Sequence, residues 1–126
     1  MESEKLKLYK YKLLISDLIL DVLNGKISVQ SALLKFPKDI ENVEIKCAFD
    51  AIMYLEADED IRKKDKEYRE LQNEYLLHIA KIFKENGNLA QNVISRYLKY
   101  NKDDLISKKR RTLKDTLNYL KRMINF

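Results

Sequence analysis

The 126-residue chain contains two glycines, Gly25 and Gly87, and one proline, Pro37. An average chain of this length carries about nine glycines and about six prolines. Tight hairpins need residues that accept positive φ, and phosphate-cradling loops need several glycines close together. With so few breakers, long helices joined by few turns are what remains, and the abundant Leu, Lys, Glu and Ile suit them. The expectation is an all-α fold, a compact bundle of five to six helices in a single domain. A chain this long buries roughly two-thirds of the surface its unfolded form exposes.

The apolar periodicity places six helices. The first covers about 3–23 and stops at Asn24-Gly25. Its polar residues Lys7, Lys10, Asp17, Asp21 and Asn24 form one narrow stripe, and apolar residues cover the rest of the girth. A helix of that kind is expected either at the centre of the fold or against a second subunit. Ser28 caps a short second helix with Val29, Ala32, Leu33 and Phe36 facing inward, ended by Pro37. Asp39 or Asn42 opens the third, whose stretch "CAFDAIMYLEA" is apolar nearly all round. The first and third helices are therefore expected innermost. Asp65 caps a fourth with the stripe Tyr68, Leu71, Tyr75, Ile79 and Ile82, closed by Glu85-Asn86-Gly87. A fifth covers about 89–100. The sixth, over about 103–124, is a basic amphipathic C-terminal helix presenting Ile106, Leu113, Leu117, Leu120 and Ile124. No repeat or linker interrupts the chain, and the one place for a sub-boundary is near Asn101, where the charge balance changes.

Charge is plentiful, at 36 % of residues against a usual quarter or so. The seventeen bases and seventeen acids of residues 1–100 cancel, so the whole net charge of +5 lies in residues 101–126, with eight bases against three acids. That asymmetry makes the C-terminal quarter the first place to look for an anionic partner. Within it, "SKKRRTLK" supplies Lys108, Lys109, Arg110, Arg111 and Lys114 as candidate phosphate contacts. The longer stretch "VISRYLKYNKDDLISKKRR" resembles a helix-turn-helix, with Ser95, Ile94, Leu98 and Leu105 at its packed positions. It departs from the pattern at Lys99, where the turn glycine would stand, and at Lys108, normally apolar. A cation cluster attracts phosphate without specifying a base sequence, and a solubilising helix face is the preferred reading.

The densest charge pattern is "EADEDIRKKD", residues 56–65. On a helix, Asp58, Glu59 and Asp60 precede Arg62, Lys63 and Lys64 by four positions, the favourable order, worth roughly 0.3–0.5 kcal/mol per pair. Helices also end or restart at such acids, so the ladder is expected to run through a kink. A calcium loop starting at Asp58 would put Arg62, Lys63 and Arg69 at its fifth, sixth and twelfth positions, which excludes it. Glu41 with Glu44, and Glu56 with Glu59, resemble the paired Glu-x-x-Glu and Glu-x-x-Asp motifs of all-helical nucleoside-triphosphate pyrophosphatases. That resemblance implies a Mg²⁺-dependent nucleotide hydrolase. The second pair ends in Glu where the motif has Asp, and both pairs fall at the ends of one helix where the site needs facing helices. The salt-bridge ladder is the preferred reading.

Other reactive residues are sparse. His78 is the only histidine and lacks the partners a bundle metal site requires. No arginine lies four to six residues before it, so the helical RNases that use that pairing are not suggested. Cys47, the only cysteine, lies in an apolar run and is expected buried and inert. It allows no intramolecular disulfide, which fits a reducing compartment. The apolar run near the start is broken by Asp17 and Asp21 and is too short to span a bilayer. A cytoplasmic protein is expected, with no membrane contact. The eight tyrosines mostly flank the helix stripes, a mild compositional lean toward interfaces. The sequence implies no catalytic residue, metal or cofactor. It points to a non-enzymatic interaction module that self-associates, a dimer being favoured. A nucleic-acid binder using the C-terminal bases comes second, and the Mg²⁺-dependent hydrolase third.

Overall fold

A computed structural model describes residues 3–89. Five helices occupy them, α1 (Glu4–Leu23), α2 (Val29–Leu34), α3 (Val43–Ala57), α4 (Glu59–Lys64) and α5 (Lys66–Lys84), and no strand is present among the described residues. All-α architecture thus holds. The predicted helices over 89–100 and 103–124 lie outside the described residues.

Local chemistry sets most boundaries. Ser3 accepts from the Leu6 N–H at 3.2 Å, Ser28 from Ser31 at 3.1 Å, Asn42 from Ile45 at 3.0 Å and Asp65 from Tyr68 at 3.0 Å. Each side chain satisfies one orphan donor of a first turn, an interaction worth about 1 kcal/mol. Of the two openers considered for α3, Asn42 is the one used.

Helices α1 and α5 lie side by side and antiparallel. Lys12 reaches Gly87, and one turn further along α1 the Ser16 hydroxyl donates to the Ala80 carbonyl at 2.8 Å. Helix α3 packs against both, and α2 packs against α3 and α1. Ile15 and Ile19 of α1, Ile52 of α3, and Ile79 and Phe83 of α5 are fully enclosed in the shared core. The interior is not that of α1 and α3 alone. Helix α5 buries seven residues against five on α1 and six on α3. Its stripe is narrower than α1's but continuous over 19 residues, so it fills the angle between the other two. The stripe is also centred differently from the predicted row. Leu76, Ala80 and Phe83 join Tyr68, Leu71 and Ile79 inside, whereas Tyr75 and Ile82 are half-buried.

The acid-base stretch does kink, but it forms a helix of its own. Asp58 ends α3 and opens α4 without capping it, because its carboxylate is taken by α5, accepting from the Tyr68 hydroxyl at 2.6 Å and from Gln72 Nε2 at 3.2 Å. Tyr68 and Leu71 form a small second core there with Tyr54 and Ile61. Of the predicted ladder, Glu59 meets Lys63 at 3.2 Å on the surface, an exposed pair worth little.

Candidate functional site

The segment between α2 and α3 is built to leave a groove. Pro37 cannot continue α2, so the chain turns away at Phe36 and runs as an irregular link to Asn42. Asp39 ties that link to α1. Its carboxylate accepts from Tyr11 Oη at 2.6 Å and pairs with Lys7 Nζ at 2.7 Å, and Lys7 also lies 5.8 Å from the Tyr11 ring centroid. The Lys7 ammonium and the Tyr11 hydroxyl together hold the Asp39 carboxyl down to about 2. Because that value lies below the ordinary 3.8, the latch contributes fully above pH 3.8 and is lost as pH falls through about 2.

Between the link and α3 lies an open groove of about 850 Å³. Phe36, Pro37 and Ile40 form one wall, and Val43, Ile45 and Phe49 the other. Phe36 and Phe49 meet edge to face at its base, their ring centroids 5.3 Å apart. Leu33 and Asn42 also line it, and the charged lining residues are Lys38, Glu41, Lys46 and Asp50, two positive and two negative. Val43 stands 36 % exposed in one wall. Apolar walls with a few charged groups suit contact with another apolar surface.

A second, smaller cleft of about 340 Å³ lies where α1, α2 and α3 approach α4 and α5. Arg62 and Asn73 line it with Glu56 and Glu59. The Arg62 guanidinium donates to Gln72 Oε1 at 2.8 Å and Asn73 Oδ1 at 3.1 Å. Both acceptors are neutral, and burial lowers the arginine from its usual value.

The four carboxylates with metal-motif spacing go to separate tasks. Glu41 lines the groove, Glu56 accepts from Gln30 Nε2 at 2.7 Å, and Glu59 pairs with Lys63. Glu44 turns inward and pairs with Lys12 at 3.3 Å, both side chains being buried. Among the described residues, no group of three His, Cys, Asp or Glu side chains is placed to hold a metal ion. Glu44 also accepts from the Leu89 N–H, and Lys12 further donates to the Gly87 carbonyl and to Asn88 Oδ1, each at 3.0 Å, beneath the Phe83 ring. This buried ion pair is absent from the sequence reading. The available signal is the row Leu8, Lys12, Ile15 and Ile19, whose helical spacing puts Lys12 among inward positions.

His78 is half-buried, and burial together with Lys81 lowers its imidazole from the ordinary value. Cys47 is buried, and its thiol is pushed up to about 12 by loss of solvent, then by Asp50 and Glu44. Such a thiol is not a nucleophile at neutral pH. Lys108, Lys109, Arg110, Arg111 and Lys114 lie outside the described residues. No described helix is long and apolar enough to cross a membrane. No protein-family model, no curated protein and no solved structure matches the chain.

Proposed function

We propose that the protein is a non-enzymatic helical interaction module and that the groove between the 36–42 link and α3 is its contact surface. The observation that supports this reading is the groove itself, an open and largely apolar trough between the link and α3, with Val43 exposed in its wall. The interior polar groups, by contrast, serve structure. Lys12 and Glu44 join α1 to α3 and to the chain after α5, and Asp58, Tyr68 and Gln72 join α3 to α5.

The test is a benzophenone amino acid placed at Val43 or at Lys46 and photoactivated in cells. A discrete protein adduct at the groove positions, identified by mass spectrometry and missing when the probe is moved to Leu77, is the expected result. Groove probes that capture no protein would sink the interaction reading.

A second reading is nucleic-acid binding through Lys108, Lys109, Arg110, Arg111 and Lys114. The charge distribution favours it, with residues 90–126 carrying ten bases against three acids.

A further inference from the structure

Leu89, the last described residue, is buried, and its N–H donates to the Glu44 carboxylate in the first turn of α3. Lys12 fixes the two residues before it, through the Gly87 carbonyl and Asn88 Oδ1. Glu44 itself turns inward, but its chain neighbours Val43 and Ile45 are both wall residues of the groove. The chain therefore leaves this fold across the first turn of α3 from the groove, about one helix diameter away, roughly 10–12 Å. Residues 90–126 continue from that point, and a few extended residues at about 3.3 Å each cover the distance.

Their last stretch suits the trough. From Leu113 the sequence repeats apolar residues at Leu117, Leu120 and Ile124, and the first three have the i, i+4, i+7 spacing by which an amphipathic helix lays one face into a groove. The wall that α3 supplies runs from Asn42 to Asp50, about 12 Å of helix, and Leu113 to Leu120 covers about 10 Å in the same geometry. Tethering then favours this segment over a separate one. A tethered segment meets a nearby site at roughly millimolar effective concentration, above what a separate partner ordinarily reaches.

We propose that residues 113–124 of the same chain occupy the groove, with Leu113, Leu117 and Leu120 against its apolar walls. A protein partner then binds only by displacing them, a regulatory step that rests on the interaction reading.

The experiment places benzophenone at Val43 of the purified full chain and maps the photoadducts by mass spectrometry. An adduct to residues 113–124 at the single-chain mass of 15.0 kDa is expected. In an equal mixture of isotope-labelled and unlabelled protein, both halves of that adduct should carry the same label. Leu113→Glu combined with Leu117→Glu is expected to lower its yield roughly ten-fold or more, as the loss of two buried leucines requires. The same pair should raise capture of a partner protein by the Val43 probe in cells. If the double variant unfolds, the wild-type map still decides. A map that lacks residues 113–124, or in which they carry the other chain's label, overturns the proposal. Partner capture that the double variant leaves unchanged also overturns it, while the interaction reading stands. An internal adduct with no protein captured in cells would sink the interaction reading and keep the docking.

Discussion

Lys12 is 1 % exposed and its partner Glu44 7 %, so both charges have been taken out of water. Desolvating them costs several kcal/mol, and mutual attraction offsets this only when the remaining hydrogen-bonding capacity is used. Here it is. The ammonium has three acceptors in Glu44, Gly87 and Asn88, and the carboxylate also takes the Leu89 N–H. Removing one partner should therefore hurt more than removing both charges. Lys12→Met is expected to cost about 3–5 kcal/mol in urea unfolding, because it leaves Glu44 buried and uncompensated. Lys12→Met combined with Glu44→Gln should recover more than half of that loss, since Gln still offers an oxygen to Leu89. If the double variant is as unstable as the single, the ion pair is not what sets the cost. Sequence reasoning missed this pair for a physical reason. The row through Lys12 reads as inward, but burying a lysine depends on an acid 32 residues away, and helical periodicity carries no information about that partner.

At the level of the elements, the ends that were legible are those whose cause is local. Ser3, Ser28, Asn42 and Asp65 each bond to a backbone N–H three residues on, which a sequence window contains. The break at Asp58 was only half legible. Acids marked a kink, but a separate α4 exists because Tyr68 and Gln72, ten and fourteen residues later, draw the Asp58 carboxylate away from a capping position. The groove was not legible at all, since the link that lines it is tied through Asp39 to Lys7 and Tyr11 of α1, remote in sequence. Both long antiparallel helices finish in the same way. Gly25 at φ +73° donates to Val22 while Lys26 donates to Asp21, and Asn86 at φ +56° donates to Phe83 while Gly87 donates to Ile82. A side chain at position 25 would meet nothing within 4 Å, so backbone strain alone sets the cost of adding one there. Gly25→Ala is expected to lower stability by about 1 kcal/mol, and Gly25→Asn by clearly less, because asparagine tolerates the left-handed region as Asn86 already does. Equal losses for the two variants in thermal unfolding would show that strain is not the cause.

Across the whole chain, the net charge is unevenly placed. Residues 3–89 carry fifteen bases and sixteen acids and contain a hydrophobic core. The positive excess follows them. The groove and the basic segment thus make opposite demands on an experiment, one resisting salt and the other sensitive to it. If Lys108, Lys109, Arg110 and Arg111 each neutralise a phosphate, affinity for duplex nucleic acid should fall on the order of a hundred-fold between about 50 and about 200 mM salt. Replacing all four by Gln should then abolish binding. The interaction reading predicts a different pattern. The wild type should bind duplex and single-stranded nucleic acid only weakly and without sequence preference at low salt, and binding should be negligible at physiological salt. The four-fold Gln variant should lose even that weak binding while keeping the solution mass and unfolding midpoint of the wild type, since isolated charged side chains contribute little to stability. Micromolar or tighter binding that persists at physiological salt and disappears in the Gln variant would favour nucleic acid as the partner. A Gln variant that changes its solution mass would instead place these bases in the protein interface. Because both quantities come from the same two samples, titrating binding and mass together against salt separates a groove that holds a protein from a basic segment that holds a phosphate backbone.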